Sequence, residues 1–449
     1  MRWEMQRHSA LSKLLSQQNK HLYGRIDRSV SARIVGPEHL PKLWQDYPAR
    51  HEGRSHRSKM PIETRTSEQG LFPELAASTR GVKAGVLPSQ DIQDLISTGK
   101  ITARTPILEE QIQPASLDLR VGDMAHRVQA SFLPGQHATV EQRINELRMS
   151  RVDLTSSTVL EKGCVYIVPL LEEVHLPDNM SGKANPKSTT GRLDVFTRLI
   201  TDYGVEFEHV PAGYKGKLYA EIVPGTFSIR LPAGTRLNQL RFFRGNPLAS
   251  DTLITELDGR EALVYSRDDN PVKAQVDRGL RISVNLHSVA PSEIIAYKAK
   301  KNAPVIDLSR VNHYPPEEFW DPTYHVSDKG LILDPGDFYI LASKEQIRVP
   351  PDYAAEMVPF DSSIGELRIH YAGFFDPGFG YGMSDLTGTR AVLEVRAHEV
   401  PFLIEHGQIV ARLAYMRLLK APEKVYGVGI GSSYQQQSLT LSKQFRKIS

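Results

Sequence analysis

From Gly85 onward, apolar and polar positions alternate with period two in short segments broken by Gly and Pro. Examples are SLDLRVG (116–122), CVYIVPL (164–170), LYAEIV (218–223) and FSIRL (227–231). This alternation with frequent turn residues predicts a mainly β protein, a sandwich or barrel with few short helices. One helix is predicted in GVLPSQDIQDLISTGKI (85–101), with Ser89 as its cap, Ile92, Leu95 and Ile96 on one face and Gly99 at its end. Residues 1 to about 80 are different. They are rich in Arg, His, Ser and Gln, and HEGRSHRSK (51–59) is almost wholly polar. This stretch reads as a disordered extension, with a short amphipathic helix near Leu11 to Leu22 and Met60 as an alternative start. A basic arm for nucleic acid is the minority reading of the same residues.

The repeat of the pattern organises the rest. Gly163-Cys164-Val165-Tyr166-Ile167 matches Gly336-Asp337-Phe338-Tyr339-Ile340, and EEVHLP (172–177) matches EQIRVP (345–350), both at a separation of 173 residues. Glu221 and Glu394, Gly234 and Gly407, and Leu240 and Leu413 keep the same separation, and Ser188 and Ser362 are 174 apart. Two related domains are therefore expected at 81–250 and 331–449, joined by a connecting segment at 251–330.

Composition narrows the class. With 40% apolar and 24% charged residues among 449, the chain is ordinary for a globular protein, and a net charge of +3 argues against bulk nucleic-acid binding. The one cysteine, Cys164, excludes an internal disulfide and a cysteine-rich metal site, and it suits a reducing, cytoplasmic setting. No apolar run approaches the 18 or more residues that span a bilayer.

The candidate chemistry divides unevenly between the copies. Pro186-Lys187-Ser188-Thr189-Thr190-Gly191-Arg192 carries the cations, hydroxyls and glycine that can surround a polyphosphate; its counterpart Phe360-Asp361-Ser362-Ser363-Ile364-Gly365-Glu366 replaces Lys and Arg with acids. Downstream the balance reverses: the second copy has Asp376-Pro377-Gly378 and Val392-Leu393-Glu394 where the first has Pro211-Ala212-Gly213 and Tyr219-Ala220-Glu221. Glu394 lies in an apolar strand, where desolvation raises a carboxyl toward the range of a general base. A Gly-rich tail with Tyr426, Tyr434 and Gln437 could close over a ligand. Taken singly, each feature also fits a plain alternative: a solvated turn, a solvent-face Glu and a frayed terminus.

Together these segments resemble the dCTP deaminases of the dUTPase-like superfamily, in the longer bacterial form with two domains in tandem. Gln113–Gly122 is similar to the family's early strand motif, PKSTTGR to its phosphate motif, and DPG followed by VLE to its sugar-and-base motif. Tyr426 and Gln437 are spaced like its closing tail. The resemblance covers Gly85 to the C-terminus. It implies two tandem dUTPase-like β-barrel or distorted jelly-roll domains. It further implies hydrolytic deamination of dCTP to dUTP and ammonia, in dUMP and dTTP precursor synthesis.

In that reading Glu394 is the general base, aided by Ser188 and Arg192. Substrate is bound by Lys187, Ser188, Thr189, Thr190, Gly191, Arg192, Asp376, Val392, Leu393, Glu394, Tyr426 and Gln437. Mg²⁺ arrives on the triphosphate, no protein residue is assigned to a metal, and zinc is not expected, since a single cysteine cannot supply the zinc-deaminase signature. The family also implies dTTP feedback and a homo-oligomer with sites between subunits, and gives no role to a membrane or nucleic acid; here Lys187 to Arg192 of the first copy are expected to face Asp376, Val392 to Glu394 and the tail of the second, either across associated chains or within one chain. The reciprocal site, Glu221 with Asp361 to Glu366, is expected to be dead, because two acids would face a triphosphate. Thr189-Thr190 and Gly373-Phe374 depart from the family pattern. A dUTPase, a bifunctional deaminase and diphosphatase, and a non-catalytic nucleotide sensor remain the alternatives.

Overall fold

The computed structural model describes residues 84–288, 292–324, 330–358, 367–369, 373–381, 387–397, 399–427 and 439–447. The N-terminal extension with its Leu11–Leu22 helix, Asp361 to Glu366, and Gln437 lie outside the described residues.

Each alternating segment forms a strand, and the two copies pair their strands alike. In the first copy, Val165–His175 pairs with Lys215–Pro224, which also pairs with Val195–Thr201. In the second, Phe338–Ile347 pairs with Thr389–Ala397, which also pairs with Leu367–Ile369. Arg236–Arg244 runs between Leu117–Arg120 and Met180–Pro186; Ile409–Arg417 runs between Leu280–Asn285 and Tyr353–Val358. Registers repeat as well. Glu221 faces Ile167 as Glu394 faces Ile340, and Leu240 faces Leu117 as Leu413 faces Leu280. Even a carboxylate's bond to backbone recurs: Glu172 accepts from the Arg120 backbone N–H at 2.8 Å, and the half-buried Glu345 from that of Ser283 at 2.9 Å. The apolar faces close over two main cores, one around Leu119, Val168, Ala220 and Leu240, the other around Ile282, Leu341, Leu393 and Leu413.

The structure redraws the segment read as a connector. Leu280–Asn285 takes in the second copy the place that Leu117–Arg120 holds in the first, and Ala296–Ala299 adds to Phe338–Ile347. Sequence comparison passes over this strand because Arg281 and Ser283 stand where the first copy has Asp118 and Arg120. The C-terminus also crosses between copies. Leu441 and Phe445 are buried in the first core, where Phe445 packs edge-on against Phe319 and Trp320 at centroid distances of 5.3 and 5.9 Å.

The early helix forms over Ser89–Ser97 with Ile92 and Leu95 buried, but Pro88 precedes it and Ser89 is its first residue, without a side-chain cap. Proline's fixed φ suits this entry, and the Ser89 N–H donates to the Pro114 carbonyl at 2.9 Å. Among the described residues no helix is long and apolar enough to cross a membrane.

Candidate active site

Residues from both copies of this one chain line a cavity of about 1170 Å³, roomy beside the ~300–1,000 Å³ usual for small-molecule sites. The first copy contributes Lys187, Ser188, Thr189, Thr190 and Arg192; the second contributes Asp376, Val392, Glu394 and Tyr426.

Glu394 is 5% exposed. Burial pushes its carboxyl up to about 8, against the opposing pull of the Arg192 guanidinium. Arg192 reaches across from the other copy, its Nε 3.9 Å from Glu394 Oε1, and is fixed by donating from Nη1 to the Thr440 carbonyl at 3.0 Å. Strand alternation sets the rest of the Val-Leu-Glu segment. Val392 and Glu394 line the cavity, while Leu393, named as a binding residue, sends its side chain into the second core.

The phosphate motif is also more differentiated than its sequence. Ser188–Gly191 forms one helical turn. Ser188 is exposed on the cavity wall, and the N–H groups of Ser188 and Thr189 have no acceptor within so short a helix. Thr190 is buried and its hydroxyl donates to the Leu237 carbonyl at 3.1 Å, so it braces the turn. Gly191 is buried behind it. Lys187 is held by Asp118, with Nζ 2.5 and 2.6 Å from the two carboxylate oxygens.

Asp376 opens a turn in which Gly378 has φ +90°, and a Cβ on Gly378 would sit 2.2 Å from Val425. Only glycine fits there. The Tyr426 N–H donates to the Pro377 carbonyl at 2.8 Å, and its ring lies 5.6 Å from that of Phe379. Phe374–Phe375 forms a short strand paired with Ala355 and Glu356. Burial raises the Asp376 carboxyl, opposed first by Arg241 and then by Lys187.

Several members of the site were not anticipated. Arg241 is fully buried and joins the first copy to the second: it donates to Asp376 Oδ1 at 3.1 Å and to the Ala355 carbonyl at 3.0 Å, and stacks on Phe374 at 4.0 Å. The signal was available, since Leu240-Arg241-Phe242 puts a charge inside an apolar strand, as with Glu394. Asp118 lay in a quoted motif without a role. Arg236 and Lys443 add cations to the phosphate-motif end. Lys443 makes no ion pair among the described residues, and desolvation, with Lys187 and Arg236 nearby, lowers its ammonium pKa. Its backbone is anchored, since the Ser442 hydroxyl donates to the Thr189 carbonyl at 2.7 Å and the Lys443 carbonyl accepts from the Asn312 N–H at 2.8 Å. Among the described residues no three His, Cys, Asp or Glu side chains are grouped to hold a metal ion.

Glu221, the counterpart of Glu394, is committed elsewhere. It is fully buried and accepts from Arg198 Nε at 3.0 Å, directly across the strand pair. The Arg198 guanidinium in turn lies 3.4 Å from the Phe207 ring centroid.

Two curled β units that share a cavity of this make-up define the dUTPase-like class. The chain belongs to the dCTP deaminase family: the profile of the 2'-deoxycytidine 5'-triphosphate deaminase N-terminal domain matches residues 83–246, and that of its C-terminal domain residues 250–445. Among solved structures, the 2'-deoxycytidine 5'-triphosphate deaminase from Agrobacterium tumefaciens is similar, with a TM-score of 0.70 and 47% identity, covering 76% of this chain and 99% of that one. The dCTP deaminase of Halorubrum lacusprofundi is 28% identical over 161 residues, 35% of this chain and 76% of the relative. The dUMP-forming dCTP deaminase of Halobacterium salinarum is 31% identical over 142 residues, 31% of this chain and 67% of the relative.

Proposed function

We propose that the protein hydrolyses dCTP to dUTP and ammonia at the cavity shared by its two copies, as a step toward dUMP and dTTP. The observation that carries this reading is the buried Glu394 carboxyl facing Arg192, with its pKa displaced to about 8. Such a group is a general base matched to near-neutral chemistry. Glu394 takes a proton from water as the oxygen adds to C4 of cytosine and delivers it to N3; it then takes the second proton from the new C4 hydroxyl and gives it to the amine, which leaves as the C4–N bond breaks and C4=O forms. One water is consumed and one ammonia released. Ser188 and Arg192 orient the water and the carboxylate, and Asp376 accepts from the sugar 3′-hydroxyl. Lys187, Thr189, Arg236 and Lys443 face the triphosphate, which brings Mg²⁺ with it as part of the substrate.

The test is ammonia release from dCTP and Mg²⁺, with separation of the products and a parallel reaction containing a zinc-selective chelator. Ammonia with dUTP, unaffected by the chelator, supports the reading in full. Accumulation of dUMP makes the enzyme bifunctional, and binding without ammonia makes it a sensor. Because a base must be ionised to act, activity is expected to rise with pH toward a plateau above about 8.

Two variants probe the ends of the site. Lys443→Gln is expected to raise KM for dCTP about tenfold while kcat stays within about twofold, because it removes a phosphate contact made equally in ground and transition states; steady-state kinetics read both. Glu221→Gln is expected to leave kcat unchanged and to cost about 1–3 kcal/mol in chemical denaturation, since it weakens a buried charge-assisted bond outside the cavity. Loss of ammonia release without loss of stability in Glu221→Gln would show that the reciprocal site works.

A further inference from the structure

The two segments that bring Arg192 to Glu394 carry a second ion pair of opposite polarity. Two residues beyond Arg192 is Asp194; two residues beyond Glu394, on the same face of its strand, is Arg396. Arg396 grips Asp194 with both arms of its fork: Nε lies 3.3 Å from Oδ1, and Nη2 contacts Oδ2. The order of charge is plus then minus on the first copy, facing minus then plus on the second. A slip by two residues along the strand would set Arg192 against Arg396, or Asp194 against Glu394. Like charges in a low-dielectric setting oppose both.

The outer pair is built more tightly than the inner one. The Thr226 hydroxyl donates to Asp194 Oδ2 at 2.6 Å and accepts from Arg396 Nη2 at 2.8 Å. Arg396 Nη1 donates to the Gly336 carbonyl at 2.5 Å. Asp194 itself has φ +54°, and its carbonyl accepts from the Gly225 N–H at 2.7 Å. A Cβ at Gly225 would fall 2.4 Å from Asp194 Oδ2, so the close approach requires glycine. By contrast Arg192 and Glu394 stand 3.9 Å apart, beyond direct hydrogen bonding.

We propose that Asp194, Arg396 and Thr226 are positioning residues that lock the two copies in register and so fix Arg192 opposite Glu394. The inference rests on the deamination reading for its kinetic test, and on geometry alone for its second test. Glu394 meets the Arg192 charge from the first copy and Arg396 on its own strand. Asp194 lies against Arg396, and Asp376, Arg241, Lys187 and Asp118 line or back the same cavity.

The experiment compares Asp194→Asn, Arg396→Met and Arg396→Lys with the unmodified full chain. Asn tolerates the left-handed backbone at 194 and removes only the charge. For Asp194→Asn and Arg396→Met the expected result is a fall in kcat of about 10- to 100-fold with KM within about threefold, as for a small misplacement of a reacting group. The acid limb of the pH–rate profile should also move to higher pH, because Arg192 no longer holds the Glu394 carboxylate down. Arg396→Lys keeps the charge but not the fork, and should recover part of kcat. In parallel, carboxyl-labelled glutamate is titrated by NMR, with the Glu394 signal identified by its absence in Glu394→Gln. Its midpoint should rise in the same variants.

A kcat that falls equally at every pH, with the Glu394 midpoint unmoved, overturns the proposal and leaves the pair a purely structural clasp. Unchanged kcat and midpoint overturn it too. Should the unmodified chain release no ammonia, the deamination reading fails, and the NMR titration alone decides the inference.

Discussion

Replacing Glu394 with glutamine is expected to lower ammonia release from dCTP by about 10²- to 10⁴-fold, the usual contribution of a general acid–base group, and to make the protein more heat-stable above pH 8. The two effects share a cause. The buried carboxyl titrates near 8 in the folded protein, against an ordinary value of 4.5. The folded state therefore holds a proton that the unfolded chain has lost between these values. The stability linked to that proton is complete below about 4.5 and is lost as pH rises through about 8, at roughly 1.4 kcal/mol per unit of displacement. Glutamine never ionises and escapes the loss. The melting temperatures of variant and unmodified protein should lie closest near pH 4.5, with the variant increasingly ahead up to about pH 8 and by a constant margin beyond it. A difference constant across this range would mean that Glu394 does not titrate in the fold.

Arg241→Met is expected to be the most destabilising single change at the site, by about 3–5 kcal/mol in chemical denaturation. Arg241 is fully buried and spends its guanidinium on Asp376 and two carbonyls of the other copy. Removing it strands a buried carboxylate without its countercharge. The double variant Arg241→Met with Asp376→Asn should regain part of the loss, because an amide tolerates that setting better than an unpaired anion. Coupling between the two changes is expected to exceed about 1 kcal/mol, as for contacting residues in one network. Near-additive losses would show that Arg241 acts through packing on Phe374 instead. Lysine should not substitute, since it lacks the planar fork that reaches three acceptors.

The β architecture and the repeat were legible because both are local: alternation of side chains and a constant separation survive in the chain itself. Glu394 stood out for the same reason, as an acid inside an apolar run. Alternation held more than was taken from it. Val392 and Glu394 share a face, so Leu393 between them had to point away, and Arg241 between Leu240 and Phe242 was as conspicuous as Glu394. What a linear reading does not carry is which polar groups are consumed by the fold. Thr190 and Ser188 look alike in PKSTTGR, yet one turn of helix buries the first against Leu237 and leaves the second on the cavity wall. Lys187 reads as a free cation until the strand with Asp118 is laid beside it. Lys443 and Arg396 are distant in sequence from the phosphate motif, and only the crossing of the C-terminus and the meeting of the copies brings them to it.

Arg192 and Glu394 belong to one polypeptide, and this changes how their encounter depends on abundance. When such halves lie on separate molecules, the working pair must be drawn from solution and thins out as the molecules are diluted. Here the peptide chain fixes their ratio at one to one, and the covalent link makes their meeting an intramolecular event. The pair is thus present at full occupancy in every folded chain, however few chains there are. The same tether frees the remaining carboxylate, Glu221, to be held permanently by Arg198.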